Sequence, residues 1–384
     1  MRTLLCFTAL FLYLNARAQH AVPGRTTGPL PYLEYGLGDD RLGGAKMTYL
    51  DTGILLQMID SNATDYKVRL SANHVAYLPK QNWRKDSATI LQPHYLSASW
   101  KLTGDERYDL LSLSLPEKLP YRSIQQINPA RIVVDIFGLT SNTNWITQLK
   151  SAREVRNVWY EQVEDDVLRI FIELRHPRHW GYGISYNKNN LQIRVKQQPT
   201  SLKLKKLLIG IDAGHGGSNT GATGGQTGIL EKDYTLMVAK ELQKRLQCRK
   251  VQVLMTREDD SDLSMIDRTL WLRGKEPDLL ISIHLNSSSN KEISGVSTYY
   301  RYIGFRPLSQ KILDRMLELP LNNFGNIGSF NFALSGPTEY PNCLVELAFL
   351  SNAEDEKKIL DKNFRKAAAK KIYKGIRDWL KAMN

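Results

Sequence analysis

The sequence predicts an α/β domain, a mostly parallel sheet flanked by helices, preceded by β-rich modules. Three observations carry this. From residue 205 onward, short apolar runs of strand length alternate with longer runs of helical period. Before residue 197 the apolar residues instead come in short alternating runs broken by turn residues. The polar, basic stretch "QQPTSLKLKK", residues 197–206, stands where the pattern changes.

Residues 1–18 have a basic start at Arg2, an apolar run from Thr3 to Leu14 and a small-x-small ending at Ala16-Arg17-Ala18, the form of a secretory signal peptide cleaved after Ala18. A spanning helix needs roughly 20 apolar residues, and neither this run nor any later one reaches that. No transmembrane segment is therefore expected after cleavage, and Cys6 has no lipobox before it. Export to the periplasm, cell envelope or extracellular space is the expectation. The net charge of +13 fits an anionic polymer. Lysines and arginines are spread along the chain and an exported protein seldom meets nucleic acid, so a wall polymer is the expected partner. Only Cys248 and Cys343 follow the leader, which excludes a disulfide framework and a cysteine zinc cluster. They form either one bridge or two small apolar fillers.

Residues 19–43, rich in Gly and Pro, read as a linker or leading arm. Over 44–88 the runs "TYLDTGILLQMID" and "DYKVRLSANHVAYLP" suggest a small β-barrel, and this stretch resembles a bacterial Src-homology-3-like wall module. Over 90–197 the runs "YLSASWKL", "YDLLSLSLP", "ARIVVDIFGL", "VRNVWYEQ", "DVLRIFIELR" and "LQIRVKQ" argue a sandwich or open barrel. This stretch resembles the AMIN module, which implies targeting to the envelope. His176 and His179 read as surface histidines, because no third ligand stands near them.

In the α/β part, strands are expected at 207–211, 251–255, 279–283, 295–300 and 343–348, and helices near 232–246, 263–275, 306–319 and 363–382. Functional residues of such sheets collect at the carboxyl ends of strands. The run "LLIGIDAGHGG" ends in Asp212 and His215, "SIHLN" places His284 at a strand edge, "LVELAFLSN" carries Glu346 in an apolar strand, and "GILEKD" puts Glu231 at a helix start. Each has a bland reading: sheet-edge histidines, a carboxylate favoured by the helix dipole, a buried ion-pair partner. Together they point elsewhere, because two histidines and one carboxylate are the protein ligands of a common catalytic zinc site with a fourth position for water.

The ordered motifs "IDAGHGG", "GILEKD", "SIHLN" and "CLVELAFLSN" resemble the zinc-dependent N-acetylmuramoyl-L-alanine amidases of the amidase-3 family over residues 205–384. The resemblance implies one Zn²⁺ bound by His215, Glu231 and His284, with Glu346 as the catalytic carboxylate. Its apolar strand neighbours are expected to help it hold a proton. The implied reaction is hydrolysis, by zinc-activated water, of the amide joining N-acetylmuramic acid to L-alanine of the peptidoglycan stem peptide, in wall remodelling or daughter-cell separation. Zinc lowers the pKa of bound water from about 16 to about 7. An envelope or divisome regulatory protein is a second partner class. Arg257 in "LMTRED" and Arg268 in "IDRTLW" match supporting motifs and read as structural first. Asp212 is expected to orient the loop or a ligand histidine from behind.

The chain departs from the family pattern at "WLRG" and at "FNFALSGPTEYP", which lacks the usual arginine. The short interval between His284 and Glu346 predicts an open site. Two other classes compete. An ATPase of the actin and sugar-kinase type is opposed by the absent Gly-Lys-Ser/Thr ending and by the leader. A catalytically weak wall-binding or amidase-regulating envelope protein is opposed by the presence of all four site residues.

Overall fold

The computed structural model describes residues 21–38 and 44–383; the expected signal peptide, 1–18, lies outside the described residues. No described helix is long and apolar enough to cross a membrane.

The first part is all β. Seven antiparallel strands lie in the order Lys46–Tyr49, Tyr32–Glu34, Val75–Pro79, Asp65–Arg69, Leu55–Ser61, Val22–Thr26 and Trp83–Lys85. The stretch 19–43, expected as a linker or leading arm, differs here. Val22–Thr26 pairs on one side with Leu55–Ser61 and on the other with Trp83–Lys85, so its Pro and Gly punctuate a strand rather than a loop. Pro23 lacks an N–H, yet its carbonyl accepts from Asp86 at 3.0 Å, which lets the strand take an interior place in the sheet.

Three further sheets follow. One has five strands, Ile146–Gln148, Trp100–Gly104, Tyr108–Ser114, Asn190–Lys196 and Tyr182–Asn187; a second has four, Tyr121–Ile127, Ala130–Phe137, Val167–Leu174 and Val155–Glu164; the third is a short parallel pair, Tyr95–Leu96 with Leu139–Thr140. Period-2 burial in Tyr108–Ser114 and Val167–Leu174 sends alternate side chains inward. Leu33, Leu56 and Leu78 of the first sheet join Leu111, Ile136 and Ile170 in one continuous apolar core. His179 does not lie on the surface as the sequence suggested. It is buried, with Nε2 2.7 Å from the Gln126 carbonyl, while the more exposed His176 faces Glu154 at 2.7 Å.

The α/β domain runs β1 (Leu208–Ala213), α1 (Glu231–Gln247), β2 (Gln252–Met255), α2 (Met265–Lys275), β3 (Leu279–Asn286), β4 (Val296–Tyr299), α3 (Arg306–Met316), β5 (Asn323–Ile327), β6 (Asn342–Phe349), α4 (Ala353–Leu360) and α5 (Lys362–Lys381). The sheet order is β2-β1-β3-β6-β4-β5. The sheet is mixed: β2, β1, β3 and β6 run parallel, as do β4 and β5, but β4 meets β6 antiparallel. Strand β5 and helix α4 are additions to the expected elements.

Alternation assigns the faces. Ile209, Ile211, Ile281, Ile283, Val345 and Leu347 pack on one face beneath α1, α3 and α5, with Leu242, Ile312 and Ile376 in the same core. Burying each such side chain contributes about 1.5–3 kcal/mol. The neighbouring positions Asp212, Ser282, His284 and Glu346 take the other face. There α2 covers only the lower part, through Leu272 against Leu280, Leu334 and Tyr340. Because β1, β3 and β6 are parallel neighbours, their carboxyl ends form one edge above that cover. The β-rich part docks on this domain through stacked Trp180 and Trp379, 5.3 Å between ring centroids, and through the buried Lys196, 3.0 Å from Asp278.

Candidate active site

After β1 the chain must turn at once, and His215 does so at φ +63°. That conformation costs a non-glycine residue roughly 1–2 kcal/mol, so the surroundings have to hold it. Two buried guanidiniums do. Arg268 donates to the carbonyls of Ala213 (2.7 Å) and His215. Arg257 donates to those of Ala213 (3.0 Å) and Gly214 (2.9 Å). Both arginines are thus committed to the main chain, which supports their reading as structural.

Asp212 anchors Arg268 in turn, at 2.7 Å, and accepts from Thr256 at 2.8 Å and Ser282 at 2.5 Å. Burial alone would raise its pKa. Arg268, His284 and the Ser282 hydroxyl outweigh that and keep the carboxyl below its ordinary value, as an anion. Its Oδ2 is 3.9 Å from His284 Nε2, beyond hydrogen-bond reach. Asp212 therefore acts on the loop through Arg268 more than on the histidine.

The glycines make room for the rings. A Cβ on Gly214 would lie 2.4–2.6 Å from the His284 imidazole, and one on Gly221 would lie 2.5 Å from the Glu231 carboxylate and 2.7 Å from the His215 ring. Glu231 is the first residue of α1, where the helix dipole favours a carboxylate. Its Oε1 lies 3.0 Å from His215 Nε2 and 3.1 Å from His284 Nδ1 and accepts from the Leu285 N–H at 2.9 Å; Oε2 accepts from the Ala222 N–H at 2.8 Å. Burial pushes Glu231 up, but the two imidazoles hold it well below the usual carboxylate range. For His215 burial works downward, and Glu231 with Asn219 more than reverses it, so its pKa is raised.

One donor atom from each of His215, Glu231 and His284 lies within 4.8 Å of the others, and the two rings meet edge to face at 4.9 Å. Glu346 on β6 is the register partner of His284 on β3 and of Ser297 on β4, which puts it on the same sheet face. All four predicted positions thus gather at one end of the sheet. The two histidine side chains keep 21% and 17% of their surface exposed, and α3, within the interval before Glu346, packs on the far face. Two residues escaped the sequence reading: Asn219, whose Oδ1 meets His215 Nδ1 at 2.9 Å, and Ser282, which holds Asp212. The one signal for either was position, four residues after the histidine and two before the next. Cys248 is exposed and Cys343 buried, and both are free, so the two do not form a bridge.

Comparison with known proteins agrees with this geometry. The family described as N-acetylmuramoyl-L-alanine amidase matches residues 209–378, and the AMIN domain family matches residues 100–204. The "Probable cell wall amidase LytH" of Staphylococcus epidermidis is 32% identical over 191 residues, 50% of this chain and 64% of that protein. The protein of the same name from Staphylococcus saprophyticus is 32% identical over 249 residues, covering 62% of this chain and 84% of its own. The germination-specific N-acetylmuramoyl-L-alanine amidase of Bacillus subtilis is 33% identical over 198 residues, 47% of this chain and 82% of that one. The chain spans 64% of the length of the first of these relatives and more than four fifths of the other two. By sequence and by the residues gathered at its sheet edge, the chain belongs to the N-acetylmuramoyl-L-alanine amidases.

Proposed function

We propose that the protein is an exported peptidoglycan hydrolase of the periplasm or cell envelope that cleaves the amide between N-acetylmuramic acid and L-alanine of the stem peptide. The observation that carries this reading is the cluster of His215, Glu231 and His284 within 4.8 Å, with Glu346 as the register partner of His284.

The donor set fits Zn²⁺. Two imidazoles and one carboxylate match a catalytic zinc site in kind and number, and the Asn219 oxygen at Nδ1 of His215 leaves Nε2 for a metal. His215 Nε2, His284 Nδ1 and a Glu231 oxygen would hold the ion. When bound, Zn²⁺ supplies Lewis-acid chemistry, polarising the scissile carbonyl and acidifying water.

The chain's own residues do the rest. Glu346 takes a proton from the attacking water at its carboxylate and returns it to the departing nitrogen of L-alanine. The amide C–N bond breaks, the lactyl carbon gains the hydroxyl, and the stem peptide leaves with a free amino end. Arg257, Arg268 and Asp212 hold the His215 turn rigid, so that no reorganisation is needed during the reaction. The basic chain, +13 overall, favours approach to an anionic wall.

Digestion of purified sacculi tests the proposal through its products. Stem peptides with amino-terminal L-alanine and peptide-free glycan are expected. New amino ends within the peptide would instead make the protein an endopeptidase, and intact sacculi would favour a wall-binding or regulating role.

A further inference from the structure

We infer that residues 328–336, between β5 and β6, form the wall of the catalytic cleft that receives the substrate's sugar rings, and that the N-terminal sheet holds this wall in place. The inference rests on the amidase reading and adds where the glycan lies.

The wall begins beside Glu346. Ser297 on β4 is the register partner of Glu346, and Tyr299, two residues further, is the partner of Leu344. Residues two apart share a face, so Tyr299 stands on the same face as Glu346 and His284. Its hydroxyl reaches Ser297 Oγ at 3.4 Å and the Asn286 amide at 3.5 Å. Against its ring lie Phe330 and Phe332, with centroids at 5.0 and 5.2 Å, and these two rings are 4.6 Å from each other. Tyr299 is buried, whereas Phe330 and Phe332 are only partly buried. Two aromatic rings thus extend the catalytic face outward from the strand beside Glu346.

The residue between them turns the other way. Asn331 accepts from the Lys46 N–H at 3.1 Å and donates to the Gly44 carbonyl at 2.7 Å. Arg301 joins the same contact through the Lys46 carbonyl, and the Tyr49 hydroxyl donates to the Ala333 carbonyl at 3.3 Å. The segment is therefore a strip gripped by the N-terminal sheet on one side and presenting rings on the other.

Its chemistry selects the occupant. From Asn322 to Thr338 no residue is charged, in a chain where 24% are. Ring faces flanked by amides and hydroxyls suit a neutral polyhydroxy ligand, whose C–H faces stack on aromatics and whose hydroxyls pair with side-chain amides. The acidic stem peptide would call for cations, and the nearby Arg301 is already spent on Lys46 and Asn331.

The test compares two substrates of the full-length, zinc-loaded protein: a disaccharide muropeptide and the lactyl-peptide lacking both sugars. Phe330→Ala should raise KM for the disaccharide substrate about threefold to tenfold, the loss of one aromatic contact, with kcat and the lactyl-peptide kinetics unchanged. Phe330→Tyr should restore KM, and Asn331→Ala should shift it in the direction of Phe330→Ala by freeing the strip. Equal losses on both substrates, or no loss on either, would overturn the inference. Should Phe330→Ala fail to fold, Phe330→Leu, which removes the ring face but keeps apolar bulk, and Asn331→Ala carry the same decision on the same two substrates. A wild-type protein that releases no L-alanine-ended peptide sinks the amidase reading itself, a result that looks different from any of these.

Discussion

Oδ1 of Asn219 lies 2.9 Å from Nδ1 of His215 and also accepts from the Gly221 N–H at 3.2 Å. The second contact fixes which end of the amide faces the ring, so the imidazole donates from Nδ1 and directs Nε2 at Glu231. Partners of this kind orient metal-binding histidines. Asn219→Ala should weaken zinc binding by about 10- to 100-fold, read by chelator competition with elemental analysis. An unchanged affinity would remove Asn219 from the site.

Glu346 lies on the sheet face of His284 but belongs to β6. Glu346→Gln keeps the shape of the side chain while abolishing its proton transfer. Zinc content and melting temperature should stay at wild-type values, and hydrolysis of sacculi should fall by about 100-fold or more. Retained turnover in metal-verified protein would assign the proton transfer to another group.

Gly214 and Gly228 offer a controlled comparison. A Cβ on Gly214 meets the His284 ring at 2.4 Å, whereas one on Gly228, at φ +72°, meets nothing within 4 Å. Gly228→Ala should therefore cost only backbone strain, about 1–2 kcal/mol, with full zinc occupancy. Gly214→Ala should displace the imidazole and lose stoichiometric zinc. Equal zinc content in the two variants would show that the loop tolerates a side chain at the metal position.

The site was legible because its residues are chemically conspicuous: histidines and a carboxylate ending apolar strands need little context to be noticed. The supporting groups were not. Asn219 and Ser282 are ordinary polar residues whose role depends on where the turn folds back. Strand β5, "NFGNI", carries Asn and Gly, which have low strand propensity, and forms through its pairing with β4. Helix α4, "AEDEKKIL", is short and charged, and its start is set by the Asn352 side chain accepting from the Asp355 N–H. Alternation showed which faces of the N-terminal strands are buried but not what covers them. The core shared between Leu33 and Ile170 and the burial of His179 depend on long-range packing that no local pattern encodes.

Asp135 ties acid stability to the β-rich part. It lies buried on Ala130–Phe137, between Arg169 at 2.6 Å and Arg122 at 2.9 Å. Burial pushes its pKa up, but the two guanidiniums outweigh this and hold it below the ordinary 3.8. A carboxylate depressed on folding contributes stability above its unfolded pKa and loses it as pH falls through the folded one. Asp135→Asn should thus cost about 1–3 kcal/mol at neutral pH, the worth of charged hydrogen bonds. The gap to wild type should narrow only below about pH 4, where the unfolded chain takes up a proton that the folded carboxyl still resists. Urea unfolding at pH 7 and pH 3 reads both numbers. A difference that stayed constant across that range would mean that the carboxyl titrates alike in the folded and unfolded chain and that the two arginines do not depress its pKa.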